Sequence, residues 1–452
     1  MKKILLLGAG RSASSLIKYL LDNAVENNWS IRIGDMSVDH LVSVLNNLPN
    51  AAAFEFNVHH EQQRSEEVAQ ADLVISLLPA VFHIEVAREC LKQEKHLITA
   101  SYVTPAFLEL HEQSQAKNLT FLMECGLDPG IDHMSAMSAI TDIKKRHGKI
   151  TSFKSYTGGL VAPESDNNPW HYKFTWNPRN VVLAGQGTAK YIKQGTYKYI
   201  PYHQLFRRTD DLFVDGYGQF EGYANRDSLS YREPYGLDDI PTMLRGTLRR
   251  KGYCIAWDVF VQLGLTDDSY TLENSVNMTY SSYLESFMPP AAHKEENLQN
   301  RLSNYTGIAA DSEIMQKLEW LGLFTDTPVE LEKATPAQVL EKILQAKWQL
   351  NSGDKDMIVM QHLFEFELEG VKRALTSSLV VLGEDEVQTA MAKTVGLPVG
   401  ILAKLLLQDK ISHRGVVIPI YTELYESVLE ELKQYGVNFI EEETILDNPA
   451  KR

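Results

Sequence analysis

The sequence predicts an α/β fold that opens with a doubly wound parallel sheet, and three observations predict it. Over the first 125 residues, short apolar runs alternate with amphipathic stretches, the pattern of parallel strands joined by crossover helices. A glycine turn, Gly8-Ala9-Gly10-Arg11-Ser12-Ala13, sits where the first strand would hand over to the first helix. Beyond Cys125 the periodicity changes to longer extended and helical segments, so a second architecture follows.

Six apolar runs are the predicted strands: Lys3 to Leu7, Ser30 to Ile33, Ala51 to Phe56, Asp72 to Leu77, His96 to Thr99 and Leu119 to Met123. Between the first two, Leu16, Ile17, Leu20, Leu21 and Ala24 recur at three- and four-residue spacing and share one helical face. Strands alternating with intervening segments in this way make a Rossmann-type domain. Asp128-Pro129 reads as the N-cap and first residue of a helix that carries Ile131, Met134, Met137, Ile140 and Ile143 and ends before Gly148. From Ile150 to about Tyr253 the chain is rich in glycine and aromatic residues, with eight tyrosines between Tyr191 and Tyr235. That composition predicts a mixed α+β domain with long functional loops. Residues 270–350, including Val329 to Trp348, read as helical, and Asp356 to Leu368 with Val371 to Leu382 read as a hairpin around Glu369-Gly370. The tail from Glu384 to Glu442 returns to helix, a short strand and helix again.

Composition narrows the function. The chain has 452 residues with 44 Lys and Arg against 59 Asp and Glu, a formal net charge of −15, which argues against a general nucleic-acid binder. Hydrophobic residues at 44% and charged residues at 23% are ordinary for a folded protein, and the length accommodates two or three domains. Cys90, Cys125 and Cys254 form no C-x-x-C pair, so neither a disulfide scaffold nor a cysteine zinc site is expected, and a reducing compartment fits. The apolar run Ile4 to Leu7 stops at Gly8, short of the ~7 to 15 residues of a signal peptide. No other run is expected to reach the ~18 apolar residues of a membrane span. The expectation is a cytoplasmic protein without nucleic-acid, membrane or metal partners.

The strongest chemical signal is the glycine turn. Gly8 permits the tight turn, Gly10 lets backbone amides approach a pyrophosphate, and Ala13 stands small where a third glycine is usual. Arg11 and Ser12 open the helix whose N-terminus stabilises negative charge, so a dinucleotide site is predicted. Asp35, followed by Met36, closes the second strand where a carboxylate accepts hydrogen bonds from an adenosine ribose; the alternative is an Asx turn with Met36 and Ser37. Leu77-Leu78-Pro79 and Ala100-Ser101-Tyr102 end the fourth and fifth strands, on the carboxyl edge that faces the ligand in such a sheet. Ser101 and Tyr102 there put two hydroxyls near the expected nicotinamide, the alternatives being a helix cap ahead of Pro105 and a half-buried core aromatic. After the sixth strand, Glu124-Cys125-Gly126-Leu127-Asp128-Pro129-Gly130-Ile131-Asp132-His133 brings Asp128 to the mouth of the same crevice. Asp128 either caps a helix or binds an ammonium and moves protons. His133 lacks a partner at metal-ligand spacing and is expected to satisfy a local hydrogen bond. Lys173 and Arg179, which flank Trp176, are expected in solvent.

Together with further segments, these residues resemble a known family. The segments are Ser155-Tyr156-Thr157-Gly158-Gly159-Leu160 with Pro163-Glu164, Phe174-Thr175-Trp176, Asn225-Arg226-Asp227-Ser228, Leu244-Arg245-Gly246-Thr247-Leu248-Arg249, Val359-Met360-Gln361-His362 and Gly396-Leu397-Pro398. With the glycine turn, Ser101-Tyr102 and the stretch Glu124 to His133, the chain resembles the saccharopine reductase family, the glutamate-forming saccharopine dehydrogenases, over nearly its full length.

The resemblance implies a Rossmann domain of residues 1–125 completed by about 385–452, a substrate-binding and dimerisation domain of 126–270 and 351–384, and a small helical domain of 271–350. It implies that L-glutamate and 2-aminoadipate 6-semialdehyde join through an imine that NAD(P)H reduces to saccharopine, or the reverse, in lysine metabolism. Asp128 and Tyr102 would then assist proton transfer, and Ser101, Tyr102, Asp128, Arg226, Arg245, Gly246 and Thr247 would hold the substrate. Leu127, Asp128, Ile131 and Trp176 would join the glycine turn, Asp35, Met36 and the residues Leu77 to Pro79, Ala100 and Ser101 around the cofactor. Arg226 and Arg245 suit bidentate recognition of carboxylates, surface charges being their alternative, and Trp176 has a core role as its alternative. Thr157 stands where many relatives carry cysteine, so a mechanism requiring that cysteine is excluded and water-mediated transfer aided by Asp128 and Tyr102 is expected. Asp35 and Asp39, with no base beside them, predict NAD over NADP, with Arg11 and Arg32 as the basic residues near enough to turn toward a phosphate. A homodimer is implied. Two alternatives stand: a carboxyspermidine or carboxynorspermidine dehydrogenase, which the placement of Arg226 and Arg245 separates, and a non-catalytic dinucleotide sensor, against which the joint arginine and aspartate motifs weigh.

Overall fold

The computed structural model describes residues 1–45, 48–290 and 297–446. In chain order its strands are β1 (Lys2–Leu7), β2 (Trp29–Asp35), β3 (Ala51–Glu55), β4 (Leu73–Ser76), β5 (His96–Thr99), β6 (Thr120–Leu122), β7 (Lys149–Val161), β8 (Thr188–Lys193), β9 (Thr196–Pro201), β10 (Thr209–Val214), β11 (Gly218–Ala224), β12 (Thr242–Arg250), β13 (Asp356–Leu368), β14 (Val371–Leu382), β15 (Gly415–Val417) and β16 (Phe439–Ile445). They fall into two compact units, Met1–Gly148 with Leu379–Phe439, and Lys149–Ser378 with the chain from Ile440 onward.

The first unit holds a seven-stranded sheet in the order β15-β6-β5-β4-β1-β2-β3, joined by parallel pairs. Strand order reverses between β1 and its neighbours β2 and β4, the switch point outside which doubly wound sheets bind ligands. All six apolar runs read from the sequence are strands, and the tail supplies the seventh, β15, beside β6. Leu5, Leu7, Val74, Leu97 and Phe121 fill one face of the sheet with Val86, Cys90 and Phe107 from the crossing helices. Burying each such side chain contributes roughly 1.5–3 kcal/mol, which fixes the strand ends that carry the site.

Of the residues of helix Ala390–Leu407, 78% are buried, and the helix lies against helix Ser14–Ala24. A Cβ on Gly396 would stand 2.6 Å from the Leu16 backbone nitrogen, and one on Gly400 would stand 2.5 Å from the Tyr19 ring, so glycine is what lets the two helices approach. By length and composition this helix is apolar enough to cross a membrane. That corrects the expectation that no segment reaches such a length: Lys393 and Lys404 interrupt its apolar run in the sequence, and the helix serves as core.

The second unit is built on a sheet in the order β10-β11-β12-β7-β13-β14-β16, with β8 pairing both β12 and β9. The predicted hairpin has the predicted ends, Glu369 and Gly370 both taking positive φ, +52° and +76°, as a tight two-residue turn requires. Helices Tyr280–Glu285, Leu298–Thr306, Glu313–Trp320 and Pro336–Trp348 occupy the predicted helical region. Val329 to Thr335 is not helical, because Thr335 and Gln338 form a capping box that starts the helix at Pro336. Phe439–Ile445 is a strand where the tail reading had helix: Gly436 at φ +77° ends the region after helix Thr422–Lys433, and the following Glu-rich segment runs along the sheet edge.

Candidate active site

In the first unit the glycine turn packs against the end of β4. Gly8 has φ +96°, and a Cβ there would lie 2.8 Å from the Leu77 carbonyl carbon and oxygen, so no other residue fits. A Cβ on Gly10 would meet nothing within 4 Å, leaving the backbone at Gly10 to Ala13 open at the start of the helical segment Arg11–Ala13 and helix Ser14–Ala24. Ala9 N–H donates to Asp35 Oδ2 at 2.6 Å, and His40 Nε2 lies 3.0 Å from the Ala9 carbonyl oxygen. Asp35 therefore sits half-buried at the end of β2 with one oxygen on the glycine turn, while Ser37 N–H reaches its other oxygen at 3.3 Å. The Asp35–Ser37 contact is that of the Asx turn weighed as its alternative. Met36 is exposed. Arg32 is committed elsewhere: Glu67 holds it through two hydrogen bonds of 2.8 and 2.7 Å, and it lies over the Phe54 ring. Glu67 is thus the partner of Arg32 in this structure, whereas Arg11 is exposed on the turn itself. These features fit a dinucleotide: a glycine-formed cradle, a helical start facing it, and an acid at the end of the second strand.

Next along the carboxyl edge, Leu77 and Leu78 are half-buried and Pro79 is exposed. Ala100, Ser101 and Tyr102 follow β5, all half-buried. Tyr102 O–H donates to Asp128 Oδ1 at 2.9 Å, which joins the two residues expected to carry proton transfer. Asp128 is not a helix cap. Helix Ile131–Lys145 begins three residues later, with Gly130 at its cap position, φ +149°, and no side-chain cap bond. Its first amides are satisfied locally instead: Ile131 N–H donates to Gly126 O and Asp132 N–H to Leu127 O, at 2.8 and 3.0 Å. Asp132 Oδ1 also accepts from Gly130 N–H at 2.7 Å. With the helix start served by the backbone, the Asp128 carboxylate is available to Tyr102. Leu127 and Ile131 are buried.

Two further groups at this edge were not assigned roles from the sequence. Glu124, in left-handed backbone at φ +59°, accepts from Val103 N–H at 2.9 Å and lies 2.7 Å from His133 Nε2. It thus ties the residue after Tyr102 to the helix that follows Asp128, and His133 makes the local bond expected of it. His83, at the start of helix His83–Gln93, spans Ser76 Oγ and Ser101 Oγ with its two ring nitrogens, each at 2.8 Å. Burial pushes its pKa down to about 4, so the ring is neutral near pH 7. Neither residue carries a periodicity or spacing signal; only the fold brings their partners together.

In the second unit, Arg245, Thr247 and Arg249 alternate along β12 and share one face. Arg245 is buried, its guanidinium 4.3 Å from the centre of the Tyr231 ring, and its backbone N–H donates to Ser228 Oγ at 2.8 Å. Asn225 N–H donates to the Arg245 carbonyl at 2.8 Å, which makes Arg226, exposed and at φ +44°, its neighbour along the backbone. The structure thus brings the two arginine motifs to one end of the sheet. A Cβ on Gly246 would stand 2.6 Å from the Tyr156 ring, so that glycine makes room for a neighbouring ring. Thr247 pairs in register with Thr157, whose buried hydroxyl has no hydrogen-bond partner. Arg249, fully enclosed, rests among the rings of Tyr172, Tyr223 and Tyr253. Trp176 is half-buried.

Lys173 and Arg179 are not solvated. The Lys173 side chain is 2% exposed and donates to Asp354 Oδ2 at 2.6 Å, while Arg179 pairs with Asp268 and Glu341. Their partners lie far along the chain, which is why flanking sequence misplaced them.

Comparisons with known proteins agree along the whole chain. Residues 4–122 match the family model described as the saccharopine dehydrogenase NADP binding domain, and residues 126–437 match the saccharopine dehydrogenase C-terminal domain. The chain is 33% identical to the NADP(+), L-glutamate-forming saccharopine dehydrogenase of Schizosaccharomyces pombe over 99% of this chain and 100% of that one. It is 36% identical to the mitochondrial alpha-aminoadipic semialdehyde synthase of Bos taurus over 98% of its own length, and spans 48% of that longer protein. The apo L-Glu-forming saccharopine dehydrogenase of Saccharomyces cerevisiae superposes with a TM-score of 0.87 at 30% identity, covering 98% of this chain and all of the other. NADP is the cofactor printed for the domain model and the fungal relative, so the NAD preference expected from Asp35 gains no support from them. With both domain models matched and the fungal enzyme aligned end to end, this chain belongs to the saccharopine dehydrogenase family.

Proposed function

We propose that the protein is an NAD(P)-dependent saccharopine dehydrogenase of the L-glutamate-forming kind, interconverting saccharopine with L-glutamate and 2-aminoadipate 6-semialdehyde in lysine metabolism. One observation in the structure carries the reading: the Tyr102–Asp128 hydrogen bond at the carboxyl edge of the sheet, next to a glycine turn shaped for a dinucleotide. Bound NAD(P) would supply the redox chemistry, a hydride to or from the carbon joined in the imine, and the glycine turn would hold it. The chain's own residues bind, orient and move protons. Tyr102 Oη is the group positioned to pass a proton to or from the nitrogen or a water, with Asp128 as its acceptor partner. Arg226 and Arg245 suit the substrate carboxylates, and Thr247 beside Thr157 offers a hydroxyl contact. Thr157 supplies no thiol, so the proposed transfer uses none at that position.

The test is to incubate purified protein with saccharopine and each nicotinamide cofactor while following absorbance near 340 nm, about the reduced nicotinamide band. Turnover is expected; no turnover with either, while the cofactor binds, overturns the proposal. On the choice of cofactor, the relatives' names indicate NADP. A second reading, NAD, is favoured by one feature of this chain: Asp35 ends β2 with Arg32 already held by Glu67, so a 2′-phosphate would meet a carboxylate rather than a base from that strand. Comparing kcat/KM for the two cofactors decides, and a clear preference for NADP removes the second reading. A homodimer is part of the proposal, and a concentration-independent monomer mass in solution would reject it.

A further inference from the structure

Ser76 is the last residue of β4 and Ser101 follows β5, its parallel neighbour. Between them the His83 ring, 2% exposed, lies 2.8 Å from each serine hydroxyl, and Thr99 Oγ1 stands 3.3 Å from the same Nε2 that meets Ser101. Ser76 and Thr99 are fully buried; of these four groups only Ser101 reaches the surface of the crevice edge. A neutral imidazole has one donor and one acceptor nitrogen, so the Ser76–His83–Ser101 chain runs in one direction at a time. With the proton on Nε2, the ring donates to Ser101 and the Ser101 O–H is free to donate to a carboxylate or carboxamide oxygen. With the proton on Nδ1, Ser101 donates to the ring and turns its lone pairs to an ammonium or amide N–H. Either way the Ser101 oxygen is pinned toward the ring, and its remaining capacity points outward. The inner end stops at the fully buried Ser76, so the chain serves to orient a hydroxyl.

We propose that His83 is a positioning residue of the proposed site, acting through Ser101 by holding its hydroxyl for the cofactor or substrate. This rests on the reading of the crevice edge as the active site. The experiment is a double-mutant cycle with Ser101→Ala, His83→Phe, which keeps an aromatic ring and removes both hydrogen bonds, and the double variant, with kcat/KM for saccharopine and the dissociation constant of NAD(P)H measured for each. Ser101→Ala is expected to lower kcat/KM roughly tenfold, as the loss of one directed hydrogen bond would. His83→Phe is expected to fall by a similar factor, and the double variant to fall no further than Ser101→Ala alone. His83→Gln, which keeps a donor and an acceptor, is expected to restore part of the loss. Effects that multiply in the double variant, or a His83→Phe protein with unchanged constants, overturn the proposal. Should His83→Phe fail to fold, Ser76→Ala removes the anchor behind the ring and is scored in the same cycle: a loss absent in the Ser101→Ala background supports positioning, and no loss or a multiplying one overturns it. If the wild type turns over no saccharopine, the proposed reaction falls, and the cycle is then scored on NAD(P)H dissociation constants alone, where the same two patterns decide.

Discussion

Acid should destabilise the first unit through one histidine. His83 is enclosed between strand ends, and burial moves its pKa from the usual 6.5 to about 4. In the unfolded chain the ring takes up a proton near 6.5, while in the folded protein it does so only near 4. Between those values the unfolded state binds more protons, so stability is complete above about pH 6.5 and drains away as pH falls through the folded value. From 6.5 to about 4, at about 1.4 kcal/mol per pH unit, the loss is about 3 kcal/mol, a large part of a typical stability of ~5–15 kcal/mol. His83→Gln has no ring to titrate and should escape it. Urea unfolding of both proteins at about pH 7.5 and about pH 4, the folded value, isolates the effect, because the carboxylates titrate alike in each. The wild type should lose about 3 kcal/mol more than the variant over that interval, and the ring signal missing from the His83→Gln NMR spectrum should titrate well below 6.5. Parallel losses in the two proteins, or a ring that titrates near 6.5, would refute the reasoning.

Other outcomes follow from the same structure. Asp354→Ala strands the Lys173 ammonium, 2% exposed, and should cost about 3–5 kcal/mol in urea unfolding, whereas Lys173→Met with Asp354→Leu should recover most of it; an equally unstable double variant would show that the pair does not matter as a pair. Gly396→Ala drives a Cβ to 2.6 Å from the Leu16 backbone nitrogen and should cost about 1–3 kcal/mol, read as a lowered thermal midpoint. Since Asp128 caps no helix, Asp128→Asn should leave stability nearly unchanged while kcat falls, and an unchanged kcat at saturating substrate would remove Asp128 from proton transfer. Arg226→Ala should weaken saccharopine binding far more than NAD(P)H binding by calorimetry; equal losses would make Arg226 structural.

Where local chemistry decides the backbone, the fold could be read from the sequence. The apolar runs of the first unit are strands to within a residue or two: β4 and β6 are buried throughout, as central parallel strands are, while β3 lies at the sheet edge. Glu369-Gly370 lay between two alternating runs, and the turn forms there with both φ positive. The tail misled for a physical reason. Phe439–Ile445 carries Glu441, Glu442 and Glu443 in succession, and an edge strand with one pairing partner needs no apolar alternation; its charges suit an edge that must not pair further.

In the site, legibility followed sequence separation. The glycine turn was readable because its requirement, a backbone without a Cβ against Leu77, falls on residues that glycine alone satisfies. Asp128 was placed at the right edge but given a cap by the Asp-Pro signal; the backbone of Gly126 and Leu127 had already met that need, a fact set by a loop closing on itself. Lys173 finds Asp354 across 181 residues and His83 finds Ser101 across 18, in each case through strands or segments that the intervening chain brings together. A charge or an imidazole says nothing locally about whether such a partner arrives. Burial of an ionisable group becomes affordable only once the partner is there. A positioning group such as His83 is therefore hidden from motif reading in a way that the hydroxyl it orients is not, and a variant series drawn from motifs alone would leave it untouched.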